Sequence, residues 1–103
     1  MTDTAQQAYD KIVAHMDDQI SKNGGGYPNW YCGITSNIEG RLFGYHQVPR
    51  QNYWRIFCDC ISAEAARNVE GGLLGLGCDG GTGGGDEQSI YVYAYLKSAI
   101  TNP

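Results

Sequence analysis

The sequence predicts an α+β domain in which a three-stranded, mainly antiparallel sheet is flanked by three helices. Three segments carry apolar residues at the helical spacing, and three shorter segments are rich in aromatic and β-branched residues. Capping residues or glycines stand at their boundaries. The 103 residues have the length of one domain. We expect residues 1–26 to form an N-terminal helix with a glycine linker and residues 27–96 to form the core.

The first helix is predicted at about Thr4 to Lys22. Its apolar residues recur on one face, namely Ala5, Ala8, Tyr9, Ile12, Val13, Met16 and Ile20. We expect Asp3 and Gln6 to form a capping pair at its start. The glycines at 24–26 are expected to end it.

A strand at about Asn29–Thr35 and a helix at Asn37–His46 follow. Ser36 and Glu39 have the spacing of a capping box at the start of that helix. Arg41 lies on the flank of its inward stripe. That predicted inward stripe consists of Ile38, Leu42 and Tyr45.

The second strand is predicted at Tyr53–Ile61, and Ser62 is expected to cap the third helix. Glu70 falls at the edge of that helix's core face, where a carboxylate can point into a cleft. The glycine-rich residues 71–85 predict a loop, with a backbone nest for an anion as the less favoured reading. The last strand, Ser89–Leu96, alternates three tyrosines on one face with apolar residues on the other.

Charge and cysteine usage limit the classes of partner. The net charge of −4 disfavours extended binding along a nucleic-acid backbone and favours a protein partner. A local basic site around Arg41, Arg50 and Arg55 stays possible. No apolar run approaches the roughly 20 residues of a membrane span, and no signal-peptide centre is seen, so we expect a cytoplasmic protein with reduced thiols. Zinc is not expected, since the four cysteines and His46 lack a C-x2-C spacing.

One stretch of the chain resembles a known nuclease family. A Tyr31-Cys-Gly33 strand end is followed by Arg41 ten residues later, Tyr45 four residues after that, and Glu70 on the next long helix. This order and the phrase GITSNIEGRL resemble the GIY-YIG nuclease module. The resemblance covers about Trp30 to Leu74 and implies a GIY-YIG-like fold.

The resemblance also implies roles for these residues. Tyr31 would line the site and orient the attacking water, and Arg41 would bind the scissile phosphate. Tyr45 occupies the family's second ring position, with His46 one residue beyond it. Glu70 would hold a single Mg²⁺ or Mn²⁺ ion through oxygen.

The first tyrosine of the family pattern has no counterpart before the YCG element. Ser89-Ile90-Tyr91 resembles GIY, so we expect Tyr91 to supply it through a circular rearrangement of the sheet. Two function classes follow. The first is a metal-dependent endonuclease acting on DNA in preference to RNA. The second is a catalytically inactive nuclease-fold protein that binds a protein partner as a bacterial or phage accessory factor or inhibitor.

Overall fold

The computed structural model describes residues 2–80 and 87–103. Their main elements are α1 (Ala5–Asn23), β1 (Trp30–Thr35), a π-helix (Glu39–Tyr45), β2 (Arg55–Asp59), α2 (Ala63–Leu76) and β3 (Tyr91–Leu96). A single 3-10 turn at Tyr27–Asn29 leads into β1. This architecture confirms the predicted α+β class. Within the described ranges, no helix has the length and apolar character needed to cross a bilayer.

The sheet has the order β1-β3-β2, and both strand pairs are antiparallel. The last strand of the chain is therefore the central one. Side chains alternate between the two faces of each strand, so the register fixes which residues share a face. One face, which we call the tyrosine face, carries Tyr31, Gly33, Thr35, Tyr91, Tyr93, Tyr95, Arg55, Phe57 and Asp59.

The other face of the sheet packs against α1 and α2. The buried residues of this core include Ala8, Ile12, Met16, Cys32, Ile34, Val69, Leu73, Val92 and Ala94. Trp30 is fully buried there, and its indole nitrogen donates to the side-chain oxygen of the buried Gln19 at 2.9 Å. Burial of these side chains supplies the main driving force for folding.

The π-helix covers part of the tyrosine face. Its residue Leu42 is fully buried, and it packs with Ile38 and Val48 against Tyr93 and Tyr95. These contacts form a second, smaller core. The candidate site lies between the π-helix and this face.

The middle helix is a π-helix rather than an α-helix. This difference decides which of two neighbouring side chains, Tyr45 or His46, faces the sheet. The backbone N–H of His46 donates to the carbonyl of Arg41, five residues back, at 3.0 Å. That pairing turns His46 toward the sheet, where it is fully buried, and leaves Tyr45 51% exposed. The prediction that Tyr45 belongs to the inward stripe is therefore wrong, because it assumed 3.6 residues per turn.

Both predicted caps at the first two helices are also corrected. Thr4, not Asp3, caps α1 through a capping box with Gln7, because Asp3 is held in an extended bridge to Cys60. At the π-helix, the side-chain oxygen of Asn37 accepts from the N–H of Gly40.

The predicted Ser36–Glu39 box does not form. The carboxylate of Glu39 instead pairs with the guanidinium of Arg50.

The bounds of three further elements differ from the prediction. The helix α2 continues to Leu76, so part of the predicted 71–85 loop is helical. Gly77 ends the helix, and its φ of +115° is a conformation that favours glycine. The strands β2 and β3 are each shorter than predicted. Residues 81–85 of the segment considered for a nest lie outside the described part of the chain.

Candidate functional site

His46 is the centre of the candidate site. It is fully buried, with Nδ1 at 2.7 Å from the carbonyl oxygen of Asn102 and Nε2 at 2.8 Å from the hydroxyl of Tyr93. A carbonyl oxygen only accepts, so Nδ1 carries a proton. Burial lowers the pKa of His46, and the nearby charge of Arg41 acts in the same direction. His46 is therefore neutral near pH 7, and its Nε2 accepts the proton of Tyr93.

Tyr93 connects His46 to Arg41. Burial raises the pKa of its hydroxyl to about 12, and hydrogen bonding with Arg41 opposes that rise. The hydroxyl thus donates to His46 and offers its oxygen to the guanidinium of Arg41. Gly33, directly opposite on β1, makes room for this arrangement, because a Cβ there would lie 2.5 Å from the hydroxyl of Tyr93.

Arg41 presents a positive charge at the surface of this cluster. Its Cζ lies 4.6 Å from the centre of the Tyr45 ring, a cation–π geometry. Hydrogen bonding with Tyr93 raises the pKa of Arg41 above its usual value. None of the salt bridges among the described residues involves Arg41. An exposed guanidinium that is stacked on the Tyr45 ring and paired with no carboxylate in that set suits an oxyanion ligand.

Tyrosine rings form the wall of the site below Arg41. The ring of Tyr31 lies 4.9 Å from that of His46 and 5.5 Å from that of Tyr95. Burial raises the pKa of Tyr31, and the charge of Arg41 opposes the shift. The hydroxyl of Tyr95 lies 3.1 Å from Nδ1 of His46. Tyr31 is only partly buried.

The structure brings together four of the predicted residues: Tyr31, Arg41, Tyr45 and His46. The other two lie apart from them. Tyr91 is on the same face but opposite Thr35, four residues along β1 from Tyr31, which is about 13 Å in a strand. The tyrosine directly opposite Tyr31 is Tyr95.

Glu70 lies on α2, on the other side of the sheet. It is 8% exposed, burial raises its pKa, and the charge of Arg67 opposes that rise. Its carboxylate influences the thiol of Cys32, which points away from the tyrosine face. Within residues 2–80 and 87–103, no group of three or more His, Cys, Asp or Glu side chains is arranged to hold a metal ion. These residues do not form a metal centre joined to Arg41.

Sequence reasoning missed Tyr93, Tyr95 and Gly33 as members of the site. Alternation along the last strand placed all three of its tyrosines on one face but did not give their register against β1. The glycine of YCG was the available signal, since it marks a close approach across the strand pair. In comparisons with known proteins, no family model, no curated protein and no solved structure matches the chain.

Gly33→Ala is expected to lower the free energy of unfolding by about 1–3 kcal/mol. The added methyl would force the hydroxyl of Tyr93 away from His46 and break their hydrogen bond. Urea unfolding measures the change, and the loss should shrink in a Tyr93→Phe background, where no hydroxyl is displaced. Gly71→Ala is the matched control, since a Cβ there meets nothing within 4 Å and favours the helix. Equal effects of the two alanines would contradict the proposed close approach.

Stability is expected to fall as the pH drops below about 6.5, the pKa of an unfolded histidine. Burial lowers the pKa of His46 in the folded protein, so the unfolded chain binds the proton first. This contribution is fully present above pH 6.5 and is lost as the pH falls toward the folded pKa. Urea unfolding at about pH 7.5 and about pH 5.5 measures it as the difference between the wild type and His46→Gln. An identical pH dependence in both proteins would refute the assignment.

Proposed function

We propose that this protein is a GIY-YIG-like endonuclease that hydrolyses phosphodiester bonds, with DNA preferred over RNA. The observation that carries the proposal is the exposed guanidinium of Arg41, held by Tyr45 and Tyr93 above a buried histidine. Phosphoryl transfer depends mainly on positioning and on stabilisation of charge on the phosphate oxygens. A planar fork of donors with no carboxylate partner among the described residues suits that task.

In this proposal the scissile phosphate binds at Arg41, beside the hydroxyl of Tyr31. The guanidinium stabilises the charge that develops on the phosphate oxygens. Tyr93 lies beside Arg41 and donates a hydrogen bond to Nε2 of His46, which is neutral and faces it. The carbonyl of Asn102 holds the other ring nitrogen and so fixes the tautomer.

The resemblance also implies a divalent ion, Mg²⁺ or Mn²⁺, held by Glu70, but Glu70 lies on the other side of the sheet and does not fit a metal centre beside Arg41. Such ions bind oxygen ligands and commonly keep several waters when one or two carboxylates hold them. The position of Glu70, across the sheet from Arg41, favours the second candidate, a nuclease-fold protein that binds a partner without catalysis. The net charge of −4 also suits a protein partner.

A cleavage assay in the presence of Mg²⁺, Mn²⁺ or a chelator tests the proposal. Its substrates are linear, supercoiled, branched and single-stranded DNA, and RNA. The nuclease proposal expects cleavage that Arg41→Ala abolishes, and a metal held by Glu70 would make that cleavage sensitive to the chelator and to Glu70→Gln. Cleavage that survives Arg41→Ala would reject the arginine site, and cleavage that survives only Glu70→Gln would reject the metal assignment. No cleavage of any substrate, together with a stoichiometric protein complex, would establish the second candidate.

A further inference from the structure

Beyond the arginine site, the tyrosine face continues onto β2 as an exposed aromatic surface. Phe57 lies directly opposite Tyr93, and its side chain is 46% exposed. Arg55 precedes it by two residues and therefore lies on the same face. Large apolar side chains of this exposure are few among the described residues, and Tyr45 at the arginine site is another.

A second aromatic ring joins this surface to the π-helix. The Cζ atoms of Arg50 and Arg55 lie 4.6 Å and 5.5 Å from the centre of the Phe43 ring. One guanidinium nitrogen of Arg55 donates to the backbone carbonyl of Arg50, and another donates to that of Tyr53 at 3.4 Å. Arg55 is thus held in place, while the pair between Arg50 and Glu39 is exposed and readily opened.

The charges on this face differ from those of the whole chain. The chain has seven basic residues and a net charge of −4, yet Arg41, Arg50 and Arg55 gather on this side of the sheet. The face also carries Glu39 and, at the far end of β2, Asp59. Positive charge is therefore concentrated around the rings of Phe43 and Tyr45, with Phe57 next to it.

We propose that the nucleic-acid strand leaving the Arg41 site crosses this surface and stacks an unpaired base on Phe57. We call the surface formed by Phe43, Arg50, Arg55 and Phe57 the strand platform. Exposed rings flanked by arginines bind single strands, because every base offers a π-face and the arginines contact phosphates. A base inside a duplex has both faces covered by its neighbours, so the platform selects substrates with an unpaired nucleotide.

The distances suit a single short strand. Phe57 and β1 are separated by two strand spacings, about 10 Å. Tyr93 between them is buried beneath the π-helix, so a strand leaving Arg41 crosses that helix to reach Phe57. A strand with stacked bases rises about 3.4 Å per nucleotide along its axis, so about three nucleotides span this distance. The inference rests on the proposed function, since it takes Arg41 as the phosphate site.

Fluorescence anisotropy with a labelled single strand of about 12 nucleotides, and with a duplex of equal length, tests the platform. A chelator is present, so no cleavage is required. We expect tighter binding of the single strand and a loss of about tenfold in affinity for Phe57→Ala. Phe57→Leu should lose nearly as much, because leucine keeps apolar area but has no ring. Arg55→Gln should weaken binding and reduce the salt slope by about one.

Two controls match these changes. Ile61→Ala removes a side chain that is 59% exposed, beyond the end of β2, and Lys22→Gln removes an exposed charge on α1. Both should bind as the wild type does. Wild-type affinity of Phe57→Ala, or equal losses in the Ile61→Ala control, would overturn the platform. Binding to no oligonucleotide, with a protein complex that tolerates Phe57→Leu, would also overturn it and assign the face to a protein.

The platform and the proposed function can fail separately. Cleavage that needs Arg41 but keeps its KM in Phe57→Ala and Arg55→Gln would refute the platform alone. Single-strand binding that needs Phe57, without cleavage of any substrate, would refute the nuclease and leave the platform supported.

Discussion

For the proposed endonuclease, replacing Arg41 with glutamine is expected to lower the rate of phosphodiester cleavage by about 10²–10³-fold. The guanidinium is the positive group that the structure places in the site, and glutamine supplies neither its charge nor its fork of donors. The effect should appear in kcat as well as in kcat/KM, because the charge on the phosphate oxygens grows in the transition state. Single-turnover cleavage measures it directly.

Two companion variants define the cause of that loss. Arg41→Lys keeps the charge but not the planar fork, so it should fall between the wild type and Arg41→Gln. Lys22→Gln removes one positive charge from α1, across the sheet, and should cleave within about twofold of the wild type. If Lys22→Gln lost as much activity as Arg41→Gln, the effect would reflect net charge and the site assignment would fail.

Replacing His46 with leucine is expected to lower the free energy of unfolding by about 3–5 kcal/mol. Leucine fills much of the space but leaves the carbonyl of Asn102 and the hydroxyls of Tyr93 and Tyr95 without their common partner. Each buried polar group left unpaired costs about 1–3 kcal/mol. A domain of this size has a total stability of about 5–15 kcal/mol, so the loss is a large share of it.

His15→Leu is the matched control for that variant. Its ring packs against Trp30 and Trp54, and its Nε2 is buried without a hydrogen-bond partner. Leucine there removes an unpaired polar atom, so the change in stability should stay within about 1 kcal/mol or be favourable. Urea unfolding at neutral pH compares the two. Equal destabilisation by both leucines would show that His46 acts through its volume rather than through its hydrogen bonds.

The fold class was accessible from the sequence because its signals are local. The period of α1, the cap at Ser62 and the aromatic, β-branched strands each depend on neighbouring residues. Gly24 likewise ended the first helix as predicted, with φ +79°. The cap of α1 was missed because a tertiary contact, the bridge between Asp3 and Cys60, decided it.

The candidate site was only partly accessible, for two physical reasons. The order of residues in the sequence predicted that an arginine and aromatic rings would form the site. A π-helix, however, shifts the facing of later residues by about one position, so His46 and not Tyr45 turns inward. Strand register is a long-range property, and alternation fits Tyr91, Tyr93 and Tyr95 equally well. The position beside Tyr31 was therefore assigned to Tyr91, whereas the register places Tyr95 directly opposite Tyr31.

Binding of a phosphodiester at Arg41 is the central claim, and side-chain NMR of the ¹⁵N-labelled protein tests it most directly. The Nε–Hε signal of Arg41 is followed during titration with a dinucleoside monophosphate in the presence of a chelator, so neither a metal nor cleavage is involved. We predict a saturable shift of the Arg41 signal that is lost in Gly33→Ala, with the signal of Arg67 on α2 unchanged. An unmoved Arg41 signal, or a shift confined to Arg67, would contradict the account.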